Sequence, residues 1–173
     1  GACMAIGIAC AGSADEGAIE LLQPMLEDST DFVRQGACIA LALVLMQQAE
    51  SRTPAVKRFR EKLVAVLTDK HQPVMFKMGA VLAAGIIDAG GRNMVVSLQS
   101  RSGFMRMSAV VGLAVWLQHW YWFPLMHFLS LSFAPTVLIG LNKDFNMPNN
   151  FVVACNAKPS LFAYPKKLED KKE

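Results

Sequence analysis

Charge is scarce in this 173-residue chain: Asp, Glu, Lys and Arg make up 18% of it, against about 25% in an ordinary soluble domain. From residue 107 to residue 142 there is no charged side chain at all. Cysteine is sparse as well. Cys3, Cys10, Cys38 and Cys155 show no CxxC spacing, which excludes a disulfide scaffold and points to a reducing, cytosolic or nuclear setting. Among twelve glycines there is no GxGxxG and no Gly-Lys-Ser/Thr loop, so neither a dinucleotide fingerprint nor a phosphate loop is present. His71, His119 and His127 are not spaced with Cys or acids as metal ligands are. The formal net charge is only +3, too little to draw the chain strongly to nucleic acid or anionic lipid. The sequence therefore supplies no catalytic residue, no cofactor site and no metal site.

What it has in excess is apolar surface. Hydrophobic residues reach 53% and the mean hydropathy is +0.32, which excludes a disordered chain. The excess is organised. Gly1-Ala2-Cys3-Met4-Ala5-Ile6-Gly7-Ile8 aligns without gaps with Gly36-Ala37-Cys38-Ile39-Ala40-Leu41-Ala42-Leu43. Gly79-Ala80-Val81-Leu82-Ala83-Ala84-Gly85-Ile86 and Ser108-Ala109-Val110-Val111-Gly112-Leu113-Ala114-Val115 align with both. Columns one, two, five and seven are always Gly, Ala or Ser; columns four and eight are always large aliphatics. Two positions before the motif stands a base (Arg34, Lys77, Arg106) and four before it a large apolar residue (Phe32, Met75, Phe104). The steps of 35, 43 and 29 residues match those of helical repeat arrays, in which helix pairs stack on their neighbours.

On a helix, columns one and five share a face. The residues expected to admit a close neighbour there are Gly1, Ala5, Gly36, Ala40, Gly79, Ala83, Ser108 and Gly112. Glycine inside a helix costs roughly 1 kcal/mol relative to Ala, so its recurrence implies tight packing in return. The repeated columns also assign Cys3 and Cys38 to packing rather than nucleophilic chemistry.

Partner helices lie between the motifs. Asp15-Glu16 opens one through Ile19, Leu22 and Leu26, and Ser29 or Thr30 is the N-cap expected for the next. Thr53-Pro54 starts a third, with Val56, Phe59, Leu63 and Leu67 on its apolar face and Lys57, Arg58, Arg60, Glu61 and Lys62 opposite. Asp88-Ala89-Gly90-Gly91 closes the third motif helix. Residues 93–99 form the weakest repeat unit.

The charge-free run 107–142 is long enough to be a formal membrane-span candidate. Gln118, His119, Pro124 and Pro135 interrupt it, and Trp116, Trp120 and Trp122 bunch at its middle instead of at two interfaces. A buried helix followed by an aromatic segment sealed into the core is the favoured reading, with His119 and His127 as buried packing residues and His71 on the surface. Residues 136–141 and 151–154 read as short β runs. The chain lacks a leading Met and a basic n-region, so no signal peptide is expected. The lysine-rich residues 166–173 read as a charged, solvated tail, and both ends read as cut from a longer protein. The expected organisation is helical repeats over 1–118, a buried aromatic link over 119–134, the start of a β-rich module over 135–165, and a disordered tail over 166–173.

The repeated Gly-Ala-x-x-Ala/Gly-x-Gly/Ala helices resemble proteasome/cyclosome repeats. Trp120-Tyr121-Trp122-Phe123-Pro124-Leu125, His127-Phe128-Leu129-Ser130-Leu131, Ile139-Gly140-Leu141-Asn142-Lys143-Asp144, Met147-Pro148 and Lys158-Pro159-Ser160-Leu161-Phe162-Ala163-Tyr164-Pro165 resemble the family of the largest non-ATPase subunit of the proteasome regulatory particle base. The resemblance implies a mostly α fold, an α-solenoid of helix pairs that is part of a toroid, followed by a short β-containing segment. It implies a non-catalytic scaffold in the cytoplasm and nucleus. Its implied partners are ATPase and non-ATPase subunits, a ubiquitin receptor and a deubiquitinase. The alternatives are a paralogous scaffold that receives ubiquitin-like shuttle proteins, a repeat subunit of the anaphase-promoting complex, or an integral membrane protein using residues 107–142.

Overall fold

A helix whose apolar side chains point in every direction is stable only when it is surrounded. Helix α3 (Asp31–Val44) is such a helix: from Ala37 to Met46 every residue is buried. Among the elements that contact it are the helices Ala2–Ala9 and Val74–Ile87. The computed structural model describes residues 1–137 and 140–148 together with the single positions 152, 154, 156 and 158. It divides into two units, residues 1–96 with 133–136, and residues 97–132 with those from 137 onward.

In the first unit, α1 (Ala2–Ala9) and α5 (Val74–Ile87) flank α3 on either side. Helix α2 (Glu16–Leu22) and a 3-10 turn (Pro24–Glu27) lie over α3, and α4 (Pro54–Thr68) packs on α5. The motif helices thus stand side by side, with their partner helices as a second layer: the α-solenoid pairing. Local chemistry sets the boundaries. Asp15 caps α2, its Oδ1 accepting the Ala18 N–H at 2.8 Å. Thr53 precedes Pro54 at the start of α4, where the missing proline N–H costs no hydrogen bond. Thr30 is the N-cap of α3 but makes no capping bond through its side chain; instead Asp28 Oδ1 accepts the Thr30 N–H at 2.8 Å.

The last carbonyls of a helix lack partners within it. Those of α3 are met by the loop that leaves α1, where Gly12 N–H donates to Leu43 O at 2.8 Å and Ala14 N–H to Val44 O at 3.1 Å. Gly12 holds φ +68° there, a conformation that favours glycine.

Two local expectations are corrected. On α4 the buried stripe is Val56, Phe59, Leu63 and Val66, while Leu67 is exposed; the stripe steps by three at its end because a 3.6-residue turn drifts. Residues 93–99 do not form a repeat unit. Met94–Val96 is strand β1, paired antiparallel with β2 (Phe133–Pro135), with Val95 opposite Ala134. Its β-branched residues suit a strand, and the partner lies too far along the chain to be seen in a local pattern. Between α5 and β1, the short helical turn α6 (Ala89–Arg92) contains Gly90 and Gly91 at φ +58° and +67°.

In the second unit, a turn at 100–103 brings Gln99 against Met105 as an isolated antiparallel bridge. Helix α7 (Met107–His119) follows, then α8 (Phe123–Met126) and a 3-10 segment (His127–Ser132) that packs on α7. Among the described residues, no helix is long and apolar enough to cross a membrane. The expected aromatic core forms only in part. Trp116 is 1% exposed, but Tyr121, Trp122 and Phe123 are 65%, 61% and 72% exposed, because α7 ends at His119 and the chain turns outward before α8. His127 is exposed too, its ring edge-on to Phe123 at 5.4 Å. Of the expected β run 136–141, Thr136 is tied to Asn93, and residues 138 and 139 lie outside the described residues. So do most of 149–165 and all of 166–173.

Candidate functional site

Of the eight positions that the sequence singles out, Gly79 and Gly112 lie at close helix contacts, and Ala40 and Ala83 are fully buried. Gly7 on α1 faces Ala40 on α3: a Cβ at position 7 would lie 2.7 Å from the Ala40 Cα and 2.9 Å from its carbonyl oxygen. Gly79 on α5 faces the start of α3, where a Cβ would lie 2.9 Å from the Gln35 Cα. In the second unit Gly112 on α7 faces the 3-10 segment, and a Cβ there would lie 2.6 Å from both Phe128 O and Leu131 Cβ. At each of these positions glycine lets backbone meet backbone, and any larger residue would have to push the helices apart.

The other expected positions are placed differently. Ala40 and Ala83 are fully buried. Gly36 is looser, since its Cβ would meet only Cys3 Cβ at 3.9 Å. Ala5 and Ser108 are exposed, and Gly1 has open space around it. The choice of columns one and five misses Gly7, which stands in column seven. The signal for it was present, because column seven also holds only small residues.

The recurring bases serve different ends. Arg34 lays its guanidinium over the Phe76 ring at 5.2 Å, joining α3 to α5. A cation over an aromatic face is worth roughly 0.5–2 kcal/mol, depending on how dry the site is. Arg106 reaches back along its own unit, with Nη1 donating to Ser97 O at 3.3 Å and Nη2 to Leu131 O at 3.4 Å.

At the other end of the same helices lies an ion network that periodicity does not reveal. Arg60 on α4 contacts Asp88 at 2.5 Å and Glu50 at 3.3 Å. Arg92 contacts the same two acids at 3.2 Å and 3.8 Å. The left-handed Gly90-Gly91 turn permits this, by folding the chain back so that Arg92 faces Asp88. Hydrogen bonding from Arg60 is the main reason that the Asp88 carboxyl titrates below its ordinary value. Isolated surface pairs contribute little, but alternating charges in a network reinforce one another.

The nucleophile candidates are sequestered or unassisted. Burial pushes the Cys38 thiol up to about 12, so it stays protonated and behaves as a small hydrophobe. Among the described residues no three His, Cys, Asp or Glu side chains are placed to hold a metal ion.

Comparison with known proteins gives this packing a family. The proteasome/cyclosome repeat family matches residues 1–35, and the 26S proteasome regulatory subunit RPN2 C-terminal domain matches residues 136–173. The 26S proteasome regulatory subunit rpn2 of Schizosaccharomyces pombe is 52% identical over 167 residues, 96% of this chain and 17% of that protein. The 26S proteasome non-ATPase regulatory subunit 1 of Drosophila melanogaster is 54% identical over 173 residues, 99% of this chain and 17% of that protein. The RPN2 subunit of Saccharomyces cerevisiae is 44% identical over 171 residues, 98% of this chain and 18% of that protein. The chain spans about one sixth of the length of these relatives. With a repeat motif at one end, the RPN2 C-terminal signature at the other and this identity between them, the chain belongs to the family of the proteasome regulatory subunits RPN2 and non-ATPase subunit 1.

Proposed function

We propose that the chain serves as part of a non-catalytic scaffold in the base of the proteasome regulatory particle, organising other subunits for ubiquitin-dependent degradation. The observation that carries the reading is the helix-packing seam. The positions that distinguish the repeat, at Gly7, Ala40, Gly79 and Ala83, lie at or beside close helix approaches, and the relatives that share the sequence are named as regulatory, non-ATPase subunits. Stacked repeats hold a surface in shape over a long distance, which is what a scaffold needs. The partners on this reading are ATPase and non-ATPase subunits, a ubiquitin receptor and a deubiquitinase, and the setting is the cytoplasm and nucleus. Continuation of the helix stack into the closed toroid that the resemblance implies belongs to the same proposal.

The test is a native gel of cell extract probed for the full-length protein and for proteasomal ATPase subunits. Co-migration in one high-mass band is expected. Full-length protein running free of the ATPases under conditions that preserve the particle would refute the proposal.

A further inference from the structure

The layer formed by α2, the 3-10 turn and α4 does not close over α3. It leaves a groove of about 590 Å³ floored by Leu26, Leu41, Leu45 and Phe59. A second hollow of about 550 Å³ continues it toward Ala14 and Thr53, sharing Ile19, Glu20 and Arg58 with the first. The two banks carry opposite charge. Glu16, Glu20 and Glu27 line the α2 side, and Arg52, Arg58 and Lys62 line the α4 side. At one end Lys62 and Glu27 pair with each other. Glu16, Glu20, Arg52 and Arg58 face the groove without an ion pair among the described residues.

We infer that this groove receives a helix of another protein subunit, one with a short apolar stripe, basic residues on one flank and acidic residues on the other. The inference rests on the scaffold reading above and names a docking surface for it. Charge complementarity selects the occupant. A nucleic acid or an anionic lipid would be repelled by the acidic bank, and a uniformly acidic or basic peptide would satisfy one bank and oppose the other. A helix lying between two helical banks presents three surfaces at once: apolar residues at i, i+3 or i+4 and i+7 toward the floor, and the two flanks toward the rims. From Pro54 to Lys62, α4 runs about 12 Å at 1.5 Å per residue, so the groove holds a little over two turns and two or three apolar anchors. Unpaired rim charges also set the direction of the incoming helix, because reversing it places like charges together.

The test compares amide hydrogen exchange in two samples of the full-length protein, one purified alone and one within the purified regulatory particle. Peptides covering residues 16–27 and 54–62 are expected to exchange at least tenfold more slowly in the particle. Ala55→Trp, which fills the groove, and Arg58→Glu, which unbalances the rim without touching the core, should each abolish that slowing while the subunit remains in the particle. Equal exchange in both samples would overturn the inference. So would slow exchange already present in the isolated protein, which would mean that its own chain covers the groove. Slowing that survives both substitutions would overturn it as well. Failure of the protein to co-purify with the particle would remove the scaffold reading, and the docking surface with it. Retention in the particle without protection removes only the docking surface.

Discussion

Gly7 and Ala40 touch backbone to backbone, so that a single added methyl group at position 7 would sit 2.7 Å from the Ala40 Cα. The neighbours cannot swing aside as a side chain would, because they are main-chain atoms of α3, which is buried from Ala37 onward. Gly85 is the opposite case: it lies on α5 in a column of the same motif, with open space around it. Gly7→Ala should destabilise the chain by about 1–3 kcal/mol, the usual range for overpacking. Gly85→Ala should stabilise it by roughly 0.5–1 kcal/mol through the backbone entropy that glycine loses on folding. Urea unfolding of the two variants checks this, and shifts of the same sign in both would contradict it.

Acid should weaken the Glu50–Arg60–Asp88–Arg92 network. Asp88 titrates below its ordinary value in the folded state, and an unfolded Asp titrates near 3.9. The folded chain therefore holds its Asp88 proton less tightly, and the stabilisation is fully present above about pH 4 and lost as pH falls through the lowered value. The gap in unfolding midpoint between the wild type and Asp88→Asn should stay constant from about pH 8 to 5 and close in stronger acid. A gap that is unchanged down to the acid unfolding limit would show that Asp88 acts through packing alone.

Thiol chemistry should separate the cysteines. With its thiol pushed up to about 12, Cys38 is ionised in roughly one molecule in ten thousand at pH 8, and it is also buried among α3 and its neighbours. Iodoacetamide should label the half-buried Cys3 and Cys10 before Cys38, which should react at a comparable rate only in denaturant. Mass spectrometry of a time course reads the order directly, and early labelling of Cys38 would count against the packing described for α3.

Two tryptophans six residues apart should behave in contrasting ways. Trp116 is enclosed and Trp122 is largely exposed. Trp116→Ala should cost about 3–5 kcal/mol, while Trp122→Ala should stay within about 0.5 kcal/mol. Thermal unfolding followed by circular dichroism distinguishes them.

Much of this arrangement is legible in the residues because its signals are local. Asp15, Thr53-Pro54 and Gly90-Gly91 mark helix starts and a stop through their own backbone chemistry, and of the motif's small positions Gly7, Gly79 and Gly112 fall at close helix contacts, while Gly1 and Gly85 face open space and Ala5 and Ser108 are exposed. What escapes is set by distance along the chain. Nothing near Met94 announces that Phe133–Pro135 will pair with it. Arg60 looks like part of a solvated basic face until Glu50 and Asp88 are brought beside it. Apolar character alone also misplaces residues: Leu67 and Trp122 belong by composition to a core, yet Leu67 falls off the buried stripe as the helical turn drifts and Trp122 lies beyond the end of α7, and both are exposed. The charged banks of the α2–α4 groove were individually visible, but their opposition across one hollow exists only once α3 has set the two helices apart.

On the proposed scaffold reading, the glycine seam gives the chain the shape by which it holds other subunits. The most direct measurement introduces Gly7→Leu, Gly79→Leu and, as a control, Gly85→Leu into the full-length protein in cells. The fraction of each that co-sediments with proteasomal ATPase subunits on a glycerol gradient is then quantified. Both seam variants should fall out of the ATPase-containing fractions while the Gly85 variant remains. Undiminished co-sedimentation of the Gly7 and Gly79 variants would contradict the claim.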